Sequence, residues 1–388
     1  MAAGNTVINS RLAQFTSTIF AEMSALAQAT GSVNLGQGFP DTDGPAEIAE
    51  SAIEAIRSGH NQYPPGIGIE SLRSAIASHQ FHYYNTLLDP ATQVLVTTGA
   101  TEAIAAAIIS LCEYGDEVVL FEPYYDSYAA SVAIAGAKRR VVRLEAPNWH
   151  FDSASLEAAI SPSTRAIVLN SPHNPTGKVF SLDELNAIAE VAIRNDLIVI
   201  SDEVYEHLTF ERSHISIGTL PGMAERTLTI SSAAKSFSYT GWKIGWVTGP
   251  ETLVAAVRAS KQFLTYVSGA PFQVAIAHAL DNCERLIPQV LEPLRVQREQ
   301  LRDALSSVNL EPFPSYGTYF LVTDVSEIAS TDTYQFCVNL AHEAGVVAVP
   351  TSVFYSEPST APKHVRWTYC KRPEVIQQAA DRLRQYFN

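Results

Sequence analysis

The sequence predicts an α/β fold, with a large domain on a mostly parallel sheet of seven strands and a smaller α+β domain made from the two ends of the chain. Three observations carry that expectation. Short, nearly continuous Val, Ile and Leu runs fill the middle of the chain, as strands buried on both faces require. Helical patterns separate these runs, and such alternation implies parallel strands joined by crossover helices. The ends differ from the middle: a Gly- and Pro-rich extended stretch lies near the start, and a long charged helix with short strands follows residue 285 or so.

In chain order, IFAEMSALAQA reads as an amphipathic helix stopped by Gly31, and NLGQGFPDTDGP as the extended stretch. The seven strand candidates are VLVTTG (94–99), EVVLFEP (117–123), RRVVRL (139–144), RAIVLN (165–170), LIVIS (197–201), TLTIS (227–231) and IGWVTG (244–249). The helix TEAIAAAIISL follows a turn at Gly99. Another helix opens at the capping box Ser181-Leu-Asp-Glu184 and keeps Leu185, Ile188 and Ala192 on one face. Short strands are expected around 317–323, 345–349 and 364–369. This division assigns residues 46–284 to the large domain, and residues 1–45 with 285–388 to the small one.

Bulk properties bound the function. A chain of 388 residues usually makes two domains, and 46% hydrophobic with 17% charged residues suffices for a sizeable core. The 26 basic and 40 acidic side chains give a net charge of −14, which argues against nucleic acid or an anionic membrane as partner. It leaves room for a small anion held by a few local cations. Cys112, Cys283, Cys337 and Cys370 form no C-x-x-C pair and read as buried, reduced thiols. The N-terminus lacks a signal-peptide core and no run of 18 apolar residues occurs, so a cytoplasmic protein is expected. The reading includes no metal.

The stretch SSAAKSFSYTGWKIGW (231–246) follows a strand candidate. Lys235 therefore sits where open α/β sheets bind ligands, beyond the carboxyl ends of strands. A lysine there, with its pKa lowered by burial or cations, condenses with an aldehyde cofactor; the plain alternative is a surface lysine. Ser231, Ser232, Ala233 and Ala234 leave room for a ring and offer donors to a phosphate, and Lys243 lies eight residues on. Ser232-Ala-Ala-Lys235 also matches the S-x-x-K of penicillin-binding proteins, but Ser201-Asp202-Glu203 stands in for S-D-N and K-T-G is missing.

Four further segments carry chemistry. In SDEVYEHL (201–208), Asp202 ends an apolar strand with Tyr205 three residues later. Its carboxylate would keep a pyridine nitrogen protonated, or cap a following helix. In NSPHNPTGKVF (170–180), Pro175 holds Asn174 extended. That aims an amide at a ring hydroxyl or a substrate carboxylate, or makes a polar turn. In TTGATEAIAAA (97–107), Gly99 starts a helix whose free N–H groups suit a phosphate. Tyr125 of the next segment, EPYYDSY, stacks on a ring or fills the core. Arg366, mid-strand in HVRWTYCKRP, needs an anion if buried: a substrate carboxylate or an internal salt bridge.

In this order, these segments resemble class I aminotransferases of pyridoxal-phosphate fold type I, over nearly the whole chain from NLGQGFPD to VRWTYCK. Within that family the chain is similar to kynurenine and glutamine transaminases, methionine aminotransferases and N-succinyldiaminopimelate aminotransferases. FAEMSALA, NQYPPG, GATEAIAAA, MAERTLTISSAAK and SYGTYF look most like the last of these. The resemblance implies pyridoxal 5′-phosphate held covalently on Lys235, which then moves the substrate proton. It implies Asp202 on the ring nitrogen, Tyr205 and Asn174 on the ring hydroxyl, and Tyr125 stacked on the ring. Ala100, Thr101, Ser232 and Lys243 would hold the phosphate. Arg366, Asn174 and the Gly38 backbone would hold the substrate α-carboxylate, beside Phe20, which replaces a tryptophan. Tyr63 would reach the phosphate of a neighbouring subunit, implying a homodimer with shared active sites. Ser268 and Gly269 stand where kynurenine transaminases carry an aromatic residue and a histidine, implying a roomier pocket.

The implied reaction moves an amino group from an amino acid to 2-oxoglutarate, with N-succinyl-LL-diaminopimelate the first donor expected and kynurenine, glutamine or methionine the alternatives. A cysteine-conjugate β-lyase would use Lys235 in the same way. A ligand-sensing regulator would need a DNA-binding segment, for which the first 45 residues are too few and too apolar.

Overall fold

The computed structural model describes residues 7–387. Strand β1 (Val33–Asn34) precedes the strands of the large sheet: β2 (Val94–Thr97), β3 (Glu117–Glu122), β4 (Lys138–Arg143), β5 (Thr164–Asn170), β6 (Ile198–Asp202), β7 (Thr227–Ser232) and β8 (Gly245–Thr248). Four more follow: β9 (Phe320–Asp324), β10 (Val346–Val347), β11 (Val349–Pro350) and β12 (His364–Thr368). All seven strand candidates therefore form, with ends shifted by a residue or two.

The large sheet runs in the order β2-β8-β7-β6-β5-β3-β4. Only β8 is antiparallel to its neighbours, so the other six share one direction. Their carboxyl ends form one edge. There Asn170 pairs with Asp202, and Gly245, the first residue of β8, lies between Thr97 and Ser232. Helices cover both faces of the sheet. Ile104, Ile108, Val118, Tyr128 and Val254 pack on one side, and Phe121, Trp149, Leu169, Leu185 and Ile188 on the other. Each such buried side chain contributes about 1.5–3 kcal/mol.

Local signals held where the chain could satisfy them locally. The Ser181–Glu184 capping box opens the Leu182–Arg194 helix, and Gly31 ends the Ile19–Thr30 helix in the left-handed conformation with φ 64°. No helix follows Asp202; residues 204–207 form turns. Val204, Tyr205 and Leu208 are instead drawn into a core built from the chain ends, with Leu35, Leu294, Leu340, Val347 and Trp367. In that region β1 pairs with β10, and β12 lies between β11 and β9. Residues 1–6 and 388 of the expected small domain lie outside the described residues. The four cysteines are free and buried. Among the described residues no helix is long and apolar enough to cross a membrane.

Candidate active site

A cavity of about 270 Å3 opens at the carboxyl edge of the sheet, roofed by residues of the chain ends. Of the side chains singled out in the sequence, Phe20, Gly38, Ala100, Thr101, Tyr125, Asn174, Asp202, Tyr205, Ser232, Lys235, Lys243 and Arg366 line it. The register explains the convergence. Asn170, Asp202 and Ser232 end neighbouring parallel strands, and Lys235 follows in the short helical turn Ala233–Ser236.

The Lys235 ammonium donates to the Tyr319 hydroxyl at 2.7 Å. Burial lowers its pKa to about 8, so near neutrality part of the population is a free, nucleophilic amine. Asp202 accepts from the Tyr128 hydroxyl at 2.6 Å and from the Val204 N–H at 3.3 Å. Burial raises its pKa to about 6 against those hydrogen bonds. With no helix behind it, Asp202 is not a helix cap. It is a buried carboxylate facing a cavity, suited to pair with a cationic ring nitrogen.

Asn170 braces the loop after β5. Its amide donates to the Asp202 carbonyl at 2.9 Å, and its oxygen accepts from the Asn174 N–H at 2.7 Å. Asn174 in turn accepts from Arg366 Nη1 at 3.0 Å, while Arg366 Nη2 donates to the Gly36 carbonyl at 2.8 Å. Arg366 Nε is buried without a partner, and the Phe320 ring lies 4.0 Å from the guanidinium carbon. Its two terminal nitrogens bond an amide and a backbone carbonyl, and among the described residues it pairs with no carboxylate, so the internal salt bridge does not form. Burial pulls Arg366 down to about 10, still charged at neutral pH. A buried cation with an open donor, held in a cavity, calls for an anionic ligand.

A phosphate fits at the other end. Gly99 adopts φ 75° at the start of the Gly99–Leu111 helix, and no side chain caps it there. The first-turn N–H groups near Ala100 and Thr101 are oriented for an anion. Lys243, itself left-handed at φ 56°, brings its amine close: a Cβ on Gly99 would lie 3.2 Å from Lys243 Nζ. Gly245 lets β8 approach this turn, since a Cβ there would lie 2.6 Å from the Gly99 carbonyl carbon and 2.8 Å from Ala100 N. The Ser232 and Thr101 side chains line the same space. A reactive lysine, a buried carboxylate and an anion cradle together match the aldehyde, ring nitrogen and phosphate of pyridoxal phosphate.

Two residues expected at the pocket, Ser268 and Gly269, lie elsewhere in the chain, and so does Tyr63, which is expected at a neighbouring subunit's site. Tyr63 is 85% exposed, its ring 5.6 Å from Tyr266, and does not line the cavity. Ser268 and Gly269 do not line it either; Ser268 accepts from Gln273, and Gly269 precedes the Ala270–Asp281 helix. The buried Lys261 ammonium ties these loops together through the Gly66 and Tyr266 carbonyls. The extra room expected from Ser268 and Gly269 is therefore not inside a single chain.

The sequence reading missed Tyr128, Asn170, Tyr319 and Phe320. Tyr128 had a signal, lying one helical turn after Tyr125. Asn170 opens the NSPHNPTG segment. Tyr319 and Phe320 read as ordinary strand aromatics. Below the site, His79, Glu206 and His207 bring ligand atoms within 4.8 Å of one another. The two histidine Nε2 atoms are hydrogen-bonded at 2.6 Å, and Glu206 accepts from Tyr84 and Ser231. Both Nε2 atoms and the Glu206 carboxylate are thus engaged with each other and with neighbours, while His79 Nδ1 is buried without a partner.

Comparison with known proteins agrees with this geometry. The sequence profile of aminotransferase class I and II matches residues 30–383. A probable N-succinyldiaminopimelate aminotransferase of Mycobacterium tuberculosis is 49% identical over 96% of this chain and 97% of its own length. The methionine aminotransferase of Escherichia coli is 39% identical over 97% of both. The solved structure of N-succinyldiaminopimelate aminotransferase from Mycobacterium tuberculosis superposes with a TM-score of 0.94 at 50% identity, covering 97% of this chain and 99% of that one. The chain belongs to the class I and II aminotransferase family and is a pyridoxal-phosphate-dependent aminotransferase.

Proposed function

We propose that the enzyme transfers the amino group of N-succinyl-LL-diaminopimelate to 2-oxoglutarate. The 49% identity, over 96% of the chain, to a relative of that name carries the choice of donor. When bound, pyridoxal phosphate supplies an aldehyde and a ring that draws electron density from the substrate α-carbon. The chain's own residues do the rest. Lys235 is the amine that holds the aldehyde and later moves the proton at the substrate α-carbon. Asp202, ionised above about pH 6, keeps the ring nitrogen protonated. Asn174 and Tyr205 hold the ring hydroxyl, and Tyr125 stacks on the ring. The helix N-terminus at Ala100 and Thr101, with Ser232 and Lys243, binds the phosphate. Arg366, Asn174 and the Gly38 backbone bind the α-carboxylate, and Phe20 and Phe320 exclude water around the guanidinium.

The proposal includes a homodimer in which Tyr63 and Gly269 complete the partner's cavity; both are exposed and lie outside their own cavity, which supports it. It also includes the domain division at residues 46 and 285, supported by the core in which the two chain ends pack together, and a cytoplasmic setting, supported by four free buried thiols.

The test is kcat/KM for a panel of donors with 2-oxoglutarate. The succinylated donor should exceed kynurenine, glutamine and methionine. Tenfold better turnover of any of these overturns the donor assignment. Methionine is the second reading, favoured by the 39% identical methionine aminotransferase.

A further inference from the structure

Tyr319 is fully buried just before β9. Its hydroxyl accepts from Lys235 Nζ at 2.7 Å and donates to the Gly38 carbonyl at 2.5 Å. The carbonyl can only accept, so the phenol proton is committed to it, and the remaining lone pair faces the lysine. Burial holds the Tyr319 pKa well above its ordinary value, so that proton stays. The ring is wedged edge-on against Tyr205 at 5.2 Å and Phe320 at 4.8 Å. Phe320 closes the other side of the same contact, since a Cβ on Gly38 would lie 2.7 Å from its ring. One phenol thus joins the N-terminal stretch over the cavity to the lysine at its base.

We propose that Tyr319 is a positioning residue that holds the Lys235 amine whenever it is not bonded to the cofactor, and couples its position to the Gly38 stretch over the substrate carboxylate. This rests on Lys235 being the cofactor lysine. A free amine on a four-carbon stem samples many rotamers. A rigid acceptor in reach keeps it near the substrate α-carbon, where it must move a proton. The acceptor binds ammonium more strongly than neutral amine, so it also favours the charged form against burial. Of the groups facing Lys235, Asp202 favours its charge, Lys243 and Arg366 oppose it, and the Cys370 thiol, its pKa raised by burial, stays neutral. Removing one hydroxyl leaves all four in place.

The test is Tyr319→Phe. In cofactor-free protein, lysines are acylated competitively across the pH range and the Lys235 peptide is quantified by mass spectrometry. The Lys235 midpoint, near 8 in the parent, should fall by about half a pH unit or more, while exposed Lys138 is unchanged. In holoenzyme, kcat should fall by about tenfold or more with the donor KM nearly constant. Should the variant not fold, difluorotyrosine at position 319 keeps the shape and weakens the acceptor, and should move the midpoint the same way. A midpoint within about 0.2 pH unit of the parent overturns the proposal, whatever kcat does. Borohydride reduction of parent holoenzyme separates the two ideas. Label on a lysine other than Lys235 defeats the cofactor assignment and this proposal together. Label on Lys235 with an unmoved midpoint defeats this proposal alone.

Discussion

Two buried ionisable groups at the sheet edge have opposite displacements, and each makes its own prediction. Lys235 is lowered to about 8 and Asp202 raised to about 6, both by burial. The holoenzyme should be yellow, and borohydride should bleach it and leave the label on Lys235; Lys235→Ala should abolish turnover. For Asp202 the folded pKa lies above the ordinary carboxylate value of 3.8, so its contribution to stability is full below that pH and is lost as pH rises through about 6. In cofactor-free protein, the advantage of Asp202→Asn over the parent should therefore grow as pH rises from about 4 to 6 and then persist, reaching on the order of 2–3 kcal/mol. Calorimetric melting across that range reads the effect. In holoenzyme the same change should cost about two to three orders of magnitude in kcat. Near-normal activity would mean that the carboxylate does not hold the ring nitrogen.

The joints between elements were built by residues whose role is to be small or to cap. Gly245 lets β8 lie against the turn at Gly99, and the obstacle to any side chain there is backbone. Gly245→Ala should cost about 1–3 kcal/mol, because that backbone must move. It should also weaken cofactor binding by shifting the helix N-terminus, which titration of the cofactor-free variant measures. By contrast, Ser181→Ala removes a capping box that does not line the cavity. It should cost about 1 kcal/mol in denaturant unfolding and leave cofactor affinity alone. The same contrast explains what was readable. The capping box was legible because its partners are three residues apart. The alternative of a helix after Asp202 was left open by the sequence and does not hold, because Val204, Tyr205 and Leu208 join the core of the chain ends, which no local pattern announces.

At the scale of the molecule, Tyr63 and Tyr266 on two loops, with Phe263 and Leu264 at the end of the Glu251–Leu264 helix, expose large apolar surface, and Tyr63 and Phe263 are each 85% exposed. In the proposed dimer this face is covered. Phe263→Glu should lower the molecular mass in sedimentation toward that of one chain and weaken cofactor retention. At limiting cofactor, Tyr63→Phe should bind it less tightly, and mixing Tyr63→Phe with Lys235→Ala protein should recover activity through hybrid dimers. Full activity in a monomer would contradict shared sites. Bulk at the exposed Gly269→His should hurt the succinylated donor more than methionine, because only a long ligand in the partner's cavity reaches that far.

The sequence by itself determined the strands and the charged chemistry. Strands buried on both faces leave unbroken apolar runs, and a Lys, Asp or Arg set among them stands out against that background. Only the tertiary structure decided how the ends of the chain close over the sheet. It brought Tyr319 to Lys235 and Gly38, left Arg366 without a carboxylate, and set Tyr63 outside its own cavity. Tyr319 and Gly38 are 281 residues apart. Such contacts are selected by packing and by loop closure over the whole chain, and no window of sequence encodes them.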